Sequence, residues 1–167
     1  AAAPSLDGWL INCYRISDIV DGSFFNQARA IFGDKGFGLH ETGIDSFDAA
    51  ANKEDERIQA NENTEIYRAC LKFAPKNFVI LSYMSANDEP WKPANEGSQT
   101  GGVLRRSDGV NDQFNGQYWG FWKRNGEPKK VVEALSGAIK ESLPKDNPAA
   151  PANKPQANEQ SSINLPK

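Results

Sequence analysis

The stretch Gly36-Phe37-Gly38-Leu39-His40-Glu41-Thr42-Gly43-Ile44-Asp45-Ser46 places a carboxylate at the end of a short apolar run, with a glycine two residues on where the backbone can turn away. Side chains along a strand alternate faces, so a strand here is expected to put Phe37, Leu39 and Glu41 on one side and Gly38, His40 and Thr42 on the other. A glutamate that closes a buried face at a strand end points into the space between strand ends, which is where open α/β sheets and barrels hold their sites. The same carboxylate also reads as a solvated strand-end acid or a cap for the following helix. Asn12 and Tyr14 stand at the end of a second apolar run. Glu89, Trp91 and Lys92 stand in a proline-bounded loop after a third. Carboxylates, an amide, a phenol, a cation and an indole are groups that could position and cleave a polar substrate.

Three strands must present these residues. Gly8–Tyr14, 37–41 and 78–84 are short, rich in β-formers and bounded by turn residues. Asn77–Ser85 is nearly continuous in apolar residues, as suits a parallel strand buried on both faces. Between the first two, Phe24, Ala28 and Ile31 fall at helical spacing, with Ser23 as the expected N-cap and Gly33 past the end. Asp45–Asn61 is polar, and its charged run 53–57 reads as a solvated loop or helix face. A second helix is expected over Glu62–Phe73, with Ile66, Ala69, Cys70 and Phe73 inward and Pro75 as the stop. Pro128 is expected to open a last helix whose buried face is Val131, Val132, Leu135 and Ile139. Strand, helix, strand at this spacing makes parallel βαβ units.

The chain has 167 residues, one domain's worth or part of a larger one. Its net charge of −3 and scattered Lys and Arg argue against a nucleic-acid partner. The pairs Arg105-Arg106 and Lys129-Lys130 read as solvated charges. Two cysteines, far apart, and one histidine make neither a disulfide framework nor a metal site, and no cofactor is implied. No apolar run reaches the ~18 residues of a membrane span. From Pro144 the composition shifts to Pro, Ala, Asn, Gln, Lys and Ser, so 1–143 is expected to be the folded part and 144–167 a disordered tail or linker.

Several blocks, taken in order, resemble the C-terminal part of a clan A (β/α)8-barrel glycoside hydrolase, closest to family 17 and its bacterial β-1,3-glucanase-like relatives. Trp9–Tyr14 is similar to the sixth strand's W-x-I-N-x-Y, and Glu41-Thr42-Gly43-Ile44-Asp45-Ser46 resembles the E-x-G-x-x-S that ends strand seven. Asn87-Asp88-Glu89-Pro90-Trp91-Lys92 resembles the D-E-P-W-K block after strand eight. Trp119-Gly120-Phe121 and Glu127-Pro128-Lys129 resemble the close of the same barrel. Relatives often carry a glutamate three residues before that tryptophan, where this chain has Gly116.

The resemblance implies an α/β fold, a partial TIM barrel made of its last three βα units, about strands six to eight. A full barrel takes about 250 residues, so the N-terminal half, with the acid/base residue upstream of Ala1, becomes an expected partner. It implies a retaining mechanism on β-glucan, with Glu41 as nucleophile and Asn12, Tyr14, Glu89, Trp91 and Lys92 as substrate-binding residues. Trp119 and Trp122 read as packing. A β-linked oligo- or polysaccharide is the expected ligand, and the expected location is secreted, periplasmic or cell-envelope. A transglycosylase, or a non-catalytic carbohydrate-binding barrel, would use the same residues.

Overall fold

The computed structural model describes residues 6–48, 51–92 and 116–144. In chain order the elements are β1 (Gly8–Asn12), α1 (Ile16–Val20), α2 (Ser23–Phe32), β2 (Gly36–Thr42), β3 (Phe47–Asp48), β4 (Lys53–Glu54), α3 (Glu56–Phe73), β5 (Phe78–Tyr83) and α4 (Lys130–Ser142). A short 3-10 turn covers Gly116–Tyr118. Strands β1, β2 and β5 form one parallel sheet in that spatial order, as the βαβ pattern predicts, and β3 and β4 form a two-residue antiparallel hairpin. The tail expected over 144–167 lies outside the described residues except for Pro144. Among the described residues no helix is long and apolar enough to cross a membrane.

One side of the sheet carries the core. Phe37 and Leu39 of β2 are fully buried with Ile16 and Ile19 of α1, Phe25 and Ala28 of α2, and Ile66, Ala69 and Cys70 of α3. Their neighbours in register, Trp9 and Ile11 on β1 and Phe78 and Leu81 on β5, pack against the same cluster. Phe78 meets Phe25 and Phe37 edge-on, each with ring centroids 5.6 Å apart. Cys70 is the small core residue its spacing predicts, and burial pushes its thiol up to about 12. The other side is bare by comparison. Leu10 and Ile80 flank Gly38 in register and are 59% and 45% exposed. A Cβ on Gly38 would lie 2.3 Å from the Ile80 side chain and 2.9 Å from its carbonyl oxygen, so Ile80 lies across β2 only because that position is glycine.

Several sequence expectations are corrected here. Ile16–Val20 is a helix that the sequence reading left out, and both of its isoleucines are fully buried. The N-cap of α2 is Gly22 at φ +87°, and the Asp21 carboxylate accepts the Ser23 N–H instead of Ser23 capping the helix. Helix α3 begins at Glu56, six residues before the expected start, with the Asp55 side chain accepting the Arg57 N–H as its cap. Its first turns bury Gln59, Glu62, Asn63 and Thr64, polar residues that carry no apolar signal. It ends at Phe73 as expected, because Ala74 is held extended ahead of Pro75. Pro128 lies before α4 in a bridge with Trp122, and the helix starts at Lys130 with no side-chain cap. On α4, Val131 and Leu135 are buried as predicted, but Ile139 is 43% exposed. It borders an apolar cleft of about 370 Å3 with Tyr67, Leu81 and Trp122.

Lys129 is the largest departure. It is no solvated charge: its side chain is fully buried. Its ammonium lies 2.7 Å from Asp88 Oδ1, 2.9 Å from Glu54 Oε1, 2.9 Å from Ser46 Oγ and 3.3 Å from the Tyr118 carbonyl oxygen. Asp88 Oδ1 also accepts the Gly120 N–H at 3.0 Å. Burial holds the Asp88 carboxyl above its ordinary range, partly offset by Lys129 and by the Gly120 N–H. Gly120 has no room for a side chain, since a Cβ there would lie 2.0 Å from the Asp88 backbone nitrogen.

Lys129→Met should destabilise the fold by about 3–5 kcal/mol, because it leaves the buried Asp88 carboxylate, and the partly exposed Glu54, without their cation. Lys123→Met, which breaks the partly exposed pair with Glu56, should move the denaturation midpoint less. Chemical denaturation of the two variants compares them directly, and Gly120→Ala should behave like the Lys129 variant. Acid should weaken the fold in a definite window. The Arg57 side chain, against burial that opposes it, pulls the Asp55 carboxyl from 3.8 down to about 2. For Glu56, burial raises the carboxyl, but hydrogen bonds from Lys123 and the Lys130 N–H outweigh it and lower the value. Both folded values are depressed, so their stabilisation is present above pH ~4 and is lost as pH falls towards 2. Stability measured between pH 5 and 2 should fall, and an Asp55→Asn variant should fall less steeply.

Candidate active site

The approach to Glu41 is set by an irregularity in β2. Ile11 pairs with Leu39, but the next β1 residue, Asn12, pairs with Glu41, and on the other edge Leu39 pairs with Leu81 while Thr42 pairs with Tyr83. One extra β2 residue is inserted at this point, which is the count of a β-bulge. The insertion reverses the alternation. Glu41 therefore does not share a side with Phe37 and Leu39, as strict period two predicts. It comes beside Asn12, partly exposed, while Thr42 returns to full burial. Sheet pairing runs on past the bulge: the Cys13 N–H bonds the Glu41 carbonyl and the Met84 N–H bonds the Thr42 carbonyl.

That continued pairing brings Tyr14 over the carboxylate. Its phenol reaches Glu41 Oε2 at 2.9 Å and also contacts Met84 Sδ. Its ring meets Trp119 edge-on at 5.4 Å, and Trp119, 2% exposed, is core packing as the sequence suggests. The second oxygen, Oε1, faces His40 Nδ1 at 3.9 Å. His40 Nδ1 in turn lies 3.2 Å from Asn12 Oδ1. Glu41, Tyr14, Asn12 and His40 thus form one group, to which the sequence contributed three members. His40 was placed on the opposite face, and only the bulge brings it in. The peptide between Met84 and Ser85 is cis.

Beyond Glu41 the chain is pinned. Gly43 turns it at φ +124°, and Asn63 of α3 then holds Ile44 from both sides, accepting its N–H at 3.0 Å and donating to its carbonyl at 3.3 Å. Ser46, the last residue of the E-x-G-x-x-S block, donates to Glu54 and accepts from Lys129. Its part is structural.

The residues after β5 form two other places. Glu89 and Lys92 make an ion pair at 2.6 Å, both about one-fifth exposed, tied to Gln117 by the Glu89 N–H and the Lys92 carbonyl. Trp91 is 76% exposed and lines a separate groove of about 440 Å3 with Asn87, Asp88, Pro90, Lys123, Arg124 and Gly126. Among the described residues no hydrogen bond or ion pair joins Glu89, Trp91 or Lys92 to Glu41, and no second carboxylate contacts Glu41. Nor do three His, Cys, Asp or Glu side chains there converge as metal ligands.

The geometry makes Glu41 a carboxylate held by one oxygen and open at the other. A phenol donating to a carboxylate is a charge-assisted bond, stronger than a neutral one. Tyr14→Phe keeps the ring against Trp119 and removes the phenol's contacts with Glu41 and Met84, so it should cost about 1–2 kcal/mol of stability. Tyr14→Ala, which also loses the ring packing, should cost at least about 2 kcal/mol. Equilibrium unfolding of both variants separates the two contributions.

No family model matches this chain, and no curated protein matches its sequence. Solved structures do match in fold. A β-D-glucuronidase from Dictyoglomus thermophilum superposes with a TM-score of 0.53 at 17% identity, over 84% of this chain and 23% of that one. A GH2 β-galacturonidase from Eisenbergiella tayi bound to galacturonate gives 0.52 at 15% identity, over 81% and 24%. A Bifidobacterium dentium β-glucuronidase complexed with coumarin-3-O-glucuronide gives 0.51 at 16%, over 84% and 21%. The chain spans less than a quarter of the length of these enzymes, and at such identities the likeness is one of fold: its sheet and helices are arranged like a portion of glycosidase chains.

Proposed function

We propose that this chain is the C-terminal part of a (β/α)8-barrel glycosidase that cleaves a β-linked glycan, of the β-glucan type, by double displacement with Glu41 as nucleophile. The observation that carries the reading is the Glu41 carboxylate at the end of β2, with Oε2 held by the Tyr14 phenol and Oε1 on the open side. The order of the sequence blocks and the fold likeness to portions of glycosidases support it. In this reading Oε1 attacks the anomeric carbon as the glycosidic C–O bond breaks. The departing oxygen takes a proton from a carboxylic acid ~5–5.5 Å from Glu41, and water, entering through the same group acting as base, then releases the sugar. That acid is supplied by residues outside the described ones. The Tyr14 hydrogen bond orients the nucleophile, and Asn12 beside it offers an amide to a sugar hydroxyl. Glu89, fixed by Lys92, serves binding rather than proton transfer.

In the protein that carries this chain, Glu41→Ala should lower turnover of a β-1,3-glucan by about a thousandfold or more. Added azide should restore cleavage and give a glycosyl azide of inverted configuration. Glu89→Ala should cost about tenfold, with no dependence on leaving group. Labelling by a fluoro-sugar at a residue other than Glu41 would overturn the assignment. Sugar binding without turnover in the wild type would favour a non-catalytic binder. Transfer to a second sugar in place of water would identify a transglycosylase.

A further inference from the structure

His40 is the chain's one histidine, and its ring nitrogen faces two acceptors. Nδ1 lies 3.2 Å from Asn12 Oδ1 and 3.9 Å from Glu41 Oε1. A neutral imidazole carries its hydrogen on one nitrogen only, and its neighbours decide which. If the Asn12 carboxamide were turned over, its NH2 would donate to a bare Nδ1 lone pair. That lone pair would then also face a carboxylate oxygen. With the proton on Nδ1, Asn12 Oδ1 accepts it at 3.2 Å. The Glu41 carboxylate, at 3.9 Å too far for a hydrogen bond, then faces a positive N–H edge rather than a lone pair, and so breaks the tie between the two amide orientations.

We propose that His40 is a positioning residue: its Nδ1–H fixes the Asn12 carboxamide by its oxygen, so that the amide NH2 donates to a sugar hydroxyl oxygen beside Glu41. This rests on the reading of Glu41 as nucleophile of a glycosidase. The pair belongs together structurally, because Asn12 and Glu41 are register partners across β1 and β2 and the bulge seats His40 next to both. An amide left to rotate would present its oxygen or its nitrogen to the substrate with similar ease. Held by its oxygen, it presents donors only, which match the lone pairs of a hydroxyl.

The test has a spectroscopic arm and a kinetic arm. In the protein that carries this chain, 15N-labelled at histidine, the His40 signals are assigned by their disappearance in His40→Asn. The neutral ring should show the Nδ1–H tautomer, and Asn12→Ala should return it towards the mixture of a free imidazole. An Nε2–H tautomer in the wild type, or one unchanged by Asn12→Ala, would overturn the proposal. On β-glucan, His40→Ala and Asn12→Ala should each raise KM about three- to tenfold with kcat nearly unchanged, and the double variant should be no worse than either alone. His40→Asn, whose amide nitrogen can replace Nδ1 as donor, should restore KM, while His40→Gln should not. Additive losses, or equal behaviour of Asn and Gln at this position, would also overturn it. If Glu41→Ala keeps its activity while the Nδ1–H tautomer is found, the reading of Glu41 as nucleophile fails and the pair is only a structural contact. If Glu41 proves to be the nucleophile and the tautomer is wrong, only the role of His40 fails.

Discussion

A single buried ammonium holds together segments that are far apart in sequence. Lys129 reaches Ser46 just beyond the end of β2, Glu54 in the hairpin, Asp88 in the loop after β5 and the carbonyl of Tyr118. An isolated charge in that position would be strongly destabilising, so the segments that supply its partners are held to one arrangement. The effect extends outward. Asp88 binds the Gly120 N–H, and Gln59 of α3 donates to the carbonyls of Trp119 and Gly120. Trp119 is thereby fixed as the wall on which Tyr14 rests. The position of the Tyr14 phenol is traceable through that chain of contacts to a lysine that touches neither Tyr14 nor Glu41.

The bulge in β2 is the second constraint, and it settles which side of the sheet Glu41 is on. A strand of strict period two would aim Glu41 into the packed layer with Phe37 and Leu39, where an ionised carboxylate would be costly. The extra residue turns it out beside Asn12, and the same shift sends Thr42 back into the interior. Bulges are a recurrent means of re-aiming a side chain next to an active site. Here the device leaves Leu39 and Thr42, on either side of the bulge, fully buried while the Glu41 side chain stays partly exposed.

The elements legible in the sequence were those whose burial is apolar. The three strands emerged from apolar runs, even where, as at Val79 and Ile80 of β5, the side chains are exposed. The C-terminal half of α3 emerged from Ile66, Ala69 and Cys70, because hydrophobic spacing is the record that packing leaves in a chain. The first turns of α3 left no such record. Gln59 and Asn63 are buried against backbone groups of other segments, and those partners come from the 116–120 stretch and from Ile44, which no local pattern connects to them. Helix α1 is five residues long, too short for a period to show. Lys129 reads as half of a charged pair because its burial depends on Asp88 and Glu54, contributed from two separate places. Of the site, Glu41, Tyr14 and Asn12 were legible as polar residues at strand ends. The bulge was not, since an inserted residue alters pairing without altering composition.

The two sides of the sheet differ in a way that bears on how the site works. On the helix side Phe37, Leu39 and Thr42 are fully buried, so the backbone on both sides of Glu41 is anchored by close packing. On the open side Gly38 gives up its own side chain to Ile80, and Leu10, Ile80 and Asn12 are exposed. The nucleophile role proposed for Glu41 gains from a group held within a fraction of an ångström of its productive position, and that precision needs a rigid scaffold behind the group together with space in front of it. The helix layer supplies the first through dispersion and burial. The bulge supplies the second, because it turns Glu41 out of the packed layer to a partly exposed position beside Asn12.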